Sequence, residues 1–178
     1  MPVSLPSQLD SLGVLQTMQS LILAECLVGG VTPFAALSAA DASRYGVTHA
    51  VFPGRPKDFA DAYLPQCSLW VPEGGDGAAL AGYAGRATSD LEVHVEVFVD
   101  QRSDWYAGEQ QILAIRDALW PVLLRHEQLG GTLPSVLAGA ARPGRGLCYE
   151  TVAGTTYRCY EALWIVRQQW ALGGGRTA

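Results

Sequence analysis

The three histidines are the side chains whose chemistry could most readily support a metal site. His49, His94 and His126 lie far apart in the sequence, and no cysteine stands at a metal-ligand spacing from any of them. His94 lies between Glu92 and Glu96, which would give a weak site of one imidazole and two carboxylates. Alternating polar residues are more typical of the solvated face of a strand. We therefore predict no metal site and interpret the trio as a polar strand face.

The four cysteines are the most reactive nucleophiles in the sequence. Cys26, Cys67, Cys148 and Cys159 form no C-x-x-C pair, so we predict reduced, buried side chains that behave as small hydrophobes. A catalytic cysteine–histidine pair stays open at this point, because such partners are adjacent only in space.

Motifs of catalysis and nucleotide binding are absent. The chain has no G-x-x-x-x-G-K-[ST], no G-x-G-x-x-G after a strand, no H-E-x-x-H and no G-x-S-x-G. Glycines cluster at residues 74–77, but no lysine and no helix start follow them, so this segment predicts an exposed hairpin tip. We predict that the protein is not an enzyme and carries no cofactor.

Composition and charge narrow the class of protein. The chain has 178 residues, an apolar share of 49% and a net charge of −5, which suits a single domain over residues 1–178 with flexible ends at 1–8 and 172–178. Basic residues are scattered, so specific nucleic-acid binding is not expected. No apolar run reaches the ~18–20 residues of a membrane span. Residues 21–26 have no basic residue before them, so we expect no export signal and a cytoplasmic location at synthesis.

Periodicity predicts two long helices and several strands. Apolar residues recur every three or four positions in both helices, and Asp104 is the expected N-cap of the second. Hairpin signals join the strands, and no βα unit repeats. We therefore predict an α+β fold, a mostly antiparallel sheet with the two long helices packed on one face. The predicted helices are 9–27 and 105–128, and the predicted strands are 48–52, 66–71, 91–100, 147–152 and 156–169.

Residues 91–100 give the clearest pattern in the sequence. Leucine and valine alternate there with acidic residues and His94, so one face of the strand should meet a core and the other should meet water or a polar lumen. The last predicted strand is apolar on both faces around Trp164 and Val166. We expect it to be covered on both sides, by the chain's own helices or by another subunit.

In the order of these elements the chain resembles the tail terminator proteins, also called tail completion or head–tail joining proteins, of long-tailed bacteriophages. The likeness spans about residues 9–170. It rests on the opening helix 12–27, Phe52-Pro53-Gly54, the proline-flanked strand 64–72, the alternating strand 91–99, the long helix from Trp105 and the closing hairpin. The resemblance implies a structural virion protein, usually six copies in a ring, that ends tube polymerisation and joins the tail to the head connector.

The resemblance also implies roles for particular residues. The acidic balance suits a lumen through which DNA slides without sticking, because like charges repel phosphates. The candidates are Glu92, His94 and Glu96 for the lumen face, Trp164 and Val166 for the subunit interface, and Glu73, Asp76, Arg142 and Arg145 for loops that contact partners. The implied partners are further copies of the chain in a hexameric ring, the tail tube protein and head–tail connector or neck proteins. The resemblance implies no membrane partner, and it implies that DNA passes through the ring without being bound specifically. The implied location is the virion, after assembly in the host cytoplasm.

Two other interpretations stay open. One is another phage neck, head-completion or minor tail protein with a related fold. The other is a cytoplasmic small-molecule-binding protein or enzyme, which would need a concave apolar pocket with convergent polar groups.

Overall fold

The computed structural model describes residues 10–55, 63–72, 80–81, 86–100, 104–126, 129 and 136–171. Within these ranges the elements are α1 (Ser11–Glu25), α2 (Ala39–Tyr45), β1 (Val51–Pro53), β2 (Gln66–Trp70), β3 (Leu80–Ala81), β4 (Arg86–Val99), α3 (Trp105–Arg125), β5 (Val136–Val152) and β6 (Thr155–Ala171). The flexible ends predicted at 1–8 and 172–178 lie outside the described residues.

The strands form one sheet in the order β1-β2-β4-β6-β5, with β3 pairing on β4. This confirms the α+β class. The sheet is mixed, however, and the prediction of a mostly antiparallel sheet is wrong, because β1 runs parallel to β2. Parallel neighbours need a crossover of a dozen or more residues in place of a hairpin, and the long connection between β1 and β2 meets that need.

The helices also differ from the prediction of two long ones. The described residues contain three, of 15, 7 and 21 residues. The short α2 is held by its ends: Ser38 accepts a hydrogen bond from the Asp41 N–H, and Gly46 closes the helix in the left-handed region at φ 69°. Asp104 caps α3 as expected, accepting from the N–H groups of Tyr106 and Ala107. Pro121 does not divide α3, which continues to Arg125.

The core lies between α1, α3 and one face of the sheet, which we call the helix face. Alternate residues of β4 point into it, as the sequence predicted, because a two-residue period places Leu91, Val93, Val95, Val97 and Val99 on one side. Each such side chain contributes about 1.5–3 kcal/mol on burial, as an upper estimate.

Trp164 and Val166 of β6 also lie on the helix face. Their registry partners are Val93 and Leu91, and the two side chains are 1% and 0% exposed. Trp164 packs near Met18 of α1 and Val122 of α3. The prediction of a subunit interface at Trp164 and Val166 is therefore wrong, because the chain's own helices cover them.

The hairpin of β5 and β6 is longer than the sequence indicated. Ala153 and Gly154 connect the strands, both with positive φ, as a two-residue hairpin turn requires. β5 begins at Val136, so Arg142 and Arg145 lie on a strand and the prediction of a loop there is wrong. A β-bulge separates Pro143 from Gly146. The small residues and the proline of this segment hid the strand, since they favour turns over strands.

Two of the cysteines also depart from the prediction. Cys148 and Cys159 stand opposite each other in the hairpin and form a disulfide. Cys26 and Cys67 are free and buried, as predicted.

Candidate functional site on the open face of the sheet

The opposite side of the sheet, which we call the open face, carries the polar residues of β4 and β6. At the β1 edge of this face, Tyr45 of α2 packs edge-to-face on Phe52. Glu96 of β4 stands directly opposite Glu161 of β6 in the ladder. Glu96 is 1% and Glu161 4% exposed. Two adjacent carboxylates with so little water need positive charge close by.

Arg145 supplies part of that charge from the bulge of β5. Its Nη2 lies 3.2 Å from Glu96 Oε1, its Nη1 lies 2.8 Å from Glu150 Oε2, and its Nε forms an ion pair with Glu161. The bulge presses close to β6 at this point. A Cβ on Gly144 would meet the Glu161 carbonyl oxygen at 3.0 Å, so any side chain there would pack tightly against β6.

Arg55, just after β1, supplies positive charge from the other side. Its Nε lies 3.1 Å from Glu96 Oε2 and its Nη2 lies 3.0 Å from Glu150 Oε1. The guanidinium also stacks over Trp70, 5.2 Å from the ring centroid. Arg55, Arg145, Glu96, Glu150 and Glu161 thus form one network, which we call the arginine–carboxylate cluster.

His94 joins the network at its edge. Its Nδ1 lies 2.7 Å from Glu161 Oε1 and its Nε2 lies 3.2 Å from Glu92 Oε1, while its ring stacks on Trp70. The predicted trio of Glu92, His94 and Glu96 does share one face. The second carboxylate of the imidazole is nevertheless Glu161, which the sequence analysis missed. The signal that could have identified Glu161 was its position as a single acidic residue beside an apolar stretch of the strand.

Burial and ion pairing shift the carboxylates of the cluster in opposite directions. Burial raises the pKa of Glu96, and Arg55 partly opposes this shift. The hydrogen bond from Arg145 lowers the pKa of Glu150, which is more exposed. Glu96 is too enclosed to reach a substrate, so its raised pKa does not make it a general acid. In the described part of the chain, no group of three or more potential ligands could hold a metal ion. The cluster can fix β5 to the sheet.

The cysteines do not supply a nucleophile either. Burial raises the pKa of Cys26 to about 11 and that of Cys67 well above its ordinary value, which disfavours the reactive thiolate. Cys148 and Cys159 are bonded to each other. The sequence left a catalytic cysteine–histidine pair open, but none of the four cysteines is a thiol with the lowered pKa that such a pair requires.

A concave surface lies on the other side of the hairpin. A groove of about 550 Å³ runs between α3 and the bulge of β5. We call it the α3–β5 groove, and it is lined by Arg116, Asp117, Trp120, Pro121, Pro143, Gly146 and Tyr160. Arg116 is held by Asp117 at 2.7 and 2.8 Å, and burial raises the pKa of Tyr160. The lining is mostly apolar, with charge at the rim.

The remaining candidate residues differ in their location and exposure. Arg142 is exposed on β5, near the ion pair of Asp90 and Arg167 on the open face. Glu73 and Asp76 lie outside the described residues. Glu92 is partly exposed, at 39% for its side chain, whereas Glu96 is sealed. Of the lumen candidates, only Glu92 and His94 can thus meet anything outside the chain.

No family model matches the sequence, and no curated protein matches it. No helix in the described ranges combines the length and the apolar character needed to cross a membrane.

Proposed function

We propose that this chain is a structural virion protein that assembles into a ring at the head-proximal end of a phage tail tube, ends tube polymerisation and joins the tail to the head connector. The ring would be built from identical head-to-tail contacts, which close when the rotation between copies divides a full turn.

The observation that carries the proposal is the one-sided construction of the sheet. The two longer helices, α1 and α3, pack on a single face, and the edge strand β5 extends over 17 residues while pairing, in the described part, only with β6. A long edge strand, and the exposed side chains that flank the cluster on the open face, are surfaces on which other chains can pack or pair. The sealed cluster and the unreactive cysteines favour assembly over catalysis.

The proposal changes the roles expected of individual residues. Glu92 and His94 remain the candidates for a lumen, while Glu96 acts inside the chain. The subunit contact must involve surface other than Trp164 and Val166. Arg142 stays a candidate for partner contact, as do Glu73 and Asp76, whereas Arg145 is engaged within the cluster.

The test is to measure the mass of the purified protein by light scattering and to image the same sample by negative stain, alone and with tail tube subunits. We expect rings of about six copies with a central hole, and tubes that stop growing when the protein is added. A protein that stays monomeric and leaves tube length unchanged would overturn the proposal.

A charge reversal tests the lumen assignment. Glu92→Lys should make the ring retain DNA that wild-type rings release, because a positive lumen attracts phosphates. Asp117→Lys, the same charge change on exposed α3, is the matched control and should bind DNA much less. Equal retention by both variants in a filter-binding assay at physiological salt would place Glu92 away from the channel.

The α3–β5 groove favours a second candidate function, small-molecule binding. Its volume falls in the range of about 300–1,000 Å³ typical of ligand sites, and Tyr160, Arg116 and Asp117 offer polar groups near one end. A strict monomer whose Trp120 fluorescence responds to a small-molecule library would favour this function over the ring.

A further inference from the structure

Tyr160 has an enclosed side chain whose hydroxyl group finds no partner in its own chain. The residue is 6% exposed, and it lines the α3–β5 groove from β6. Among the residues that the structure describes, none forms a hydrogen bond with this hydroxyl. The oxygen is not sealed in the interior, so the hydroxyl opens into the groove. Enclosed polar groups in native proteins are normally hydrogen-bonded, and a molecule bound in the groove would supply the missing partner.

The walls of the groove beside Tyr160 are apolar and include flat rings. Trp120 and Pro121 belong to α3, and Pro143 belongs to the bulge of β5 on the opposite wall. The space between them, about 550 Å³, is of the size that small-molecule sites have. Aromatic rings pack favourably against one another in stacked or edge-to-face arrangements. The walls therefore favour a flat aromatic molecule.

The charged groups at the rim of the groove cancel each other. Arg116 donates from Nε and from Nη2 to the same oxygen of Asp117, at 2.8 and 2.7 Å. A charged ligand would lose hydration in the groove without finding an unpaired opposite charge there. Burial raises the pKa of Tyr160, so its hydroxyl is neutral at physiological pH and can both donate and accept a hydrogen bond. The rim and the hydroxyl together favour an uncharged ligand with one polar group.

We propose that the α3–β5 groove binds a small, uncharged aromatic molecule that carries a hydroxyl group, packed against Trp120 and hydrogen-bonded to Tyr160. The inference rests on the second function proposed above, small-molecule binding, and it does not require the ring. The ring system of the ligand provides the apolar contact that the walls offer, and its hydroxyl provides the hydrogen bond that Tyr160 lacks. The chemical class is that of phenols and naphthols.

The charge of the ligand is tested with two probes that share one ring system. At pH 7, 2-naphthol is uncharged and 2-naphthoate is an anion. The groove should bind 2-naphthol at least about tenfold more tightly, because only the anion loses the hydration of a charge. Titration of the tryptophan indole N–H signals in ¹H–¹⁵N spectra measures both dissociation constants. The signal of Trp120, identified by its absence in Trp120→Phe, should move on binding.

The hydrogen bond is tested by removing the hydroxyl of Tyr160. Tyr160→Phe should bind 2-naphthol about 3–10-fold more weakly, as expected for the loss of one hydrogen bond. It should keep the wild-type melting temperature, since the hydroxyl makes no hydrogen bond within the described part of the chain. Tyr149→Phe is the matched control, because Tyr149 belongs to the same hairpin, is 61% exposed and does not line the groove. It should bind 2-naphthol as the wild type does.

The neutrality of the rim is tested by removing the charge of Asp117. Asp117→Asn leaves the charge of Arg116 unpaired, so the affinity for 2-naphthoate relative to 2-naphthol should rise about two- to fivefold, as for an exposed ion pair. Glu92→Gln removes the same charge on the open face and should leave this ratio unchanged. An equal change in both variants would show that the rim does not select the charge of the ligand.

The outcomes separate this inference from the function on which it rests. If 2-naphthoate binds as tightly as 2-naphthol, or if Tyr160→Phe binds 2-naphthol as the wild type does, the inference is overturned and small-molecule binding itself stands. Probes that leave the Trp120 signal unmoved would also overturn the inference. In that case a response of Trp120 to other members of the small-molecule library would still support a ligand of a different class, and its absence would remove the small-molecule function as well.

Discussion

The two faces of β4 and β6 come from alternate residues of the same strands, and they become buried in different ways. On the helix face, Val95 and Trp164 are covered by a second layer of structure, α1 and α3. On the open face, Glu96 and Glu161 are covered by side chains that reach across from β5 and from the end of β1. Burial beneath the helices requires only apolar side chains that fill the space. Burial beneath single side chains depends on charge and on the bulge that positions Arg145.

This comparison predicts its largest effect at two neighbouring residues of β6. Trp164→Ala should lower the free energy of unfolding by about 3–5 kcal/mol, because it leaves a cavity beneath the helices. Leu163→Ala, one residue earlier on the open face and only partly buried, should cost less than about 2 kcal/mol. Urea denaturation followed by circular dichroism measures both. Similar losses would mean that the open face is as tightly packed as the helix face.

A smaller loss of unfolding free energy is expected when Arg145 is removed from the arginine–carboxylate cluster. Arg145→Ala should destabilise the protein by about 1–3 kcal/mol, because Glu96 and Glu161 keep their burial and lose hydrogen bonds. The loss stays below that of a fully buried pair since Arg145 itself is half exposed, at 49%. Arg142→Ala, an exposed arginine of the same strand, should change stability by less than about 0.5 kcal/mol. Equal effects of the two substitutions would show that the contacts of Arg145 contribute nothing.

The smallest effect concerns pH. The Arg145 hydrogen bond lowers the pKa of Glu150 below its ordinary value of 4.5, so the ionised Glu150 stabilises the folded chain above that value and the contribution is lost as pH falls through the lowered pKa. Glu150→Gln should therefore be less stable than the wild type at pH 7, and the difference should vanish only once the pH lies below the lowered pKa of Glu150. Chemical denaturation at both pH values measures it. A difference in unfolding free energy between the two proteins that does not change with pH would exclude an ionic role for Glu150.

The sequence predicted the helix face better than the open face, and the reason is physical. Alternation over residues 91–99 directly reports burial on one side, so the register of β4 could be deduced. The cluster joins residues far apart in the chain, such as Arg55, Glu96 and Glu161, and no local period encodes that meeting. The disulfide could have been predicted from the sequence, because a two-residue turn at 153–154 places Cys148 and Cys159 opposite each other. The turn alone fixes that pairing.

Pro143 has a consequence for how far the chain can aggregate. It has no N–H to donate, and the bulge beside it breaks the pairing register in the middle of β5. An incoming strand could hydrogen-bond to the stretch before the proline or to the stretch after the bulge, but not continuously along both. The long edge of the molecule is thereby interrupted against the endless strand-by-strand growth that produces fibrils. A copy that pairs with this edge can do so only over a short stretch, which favours assemblies of finite size.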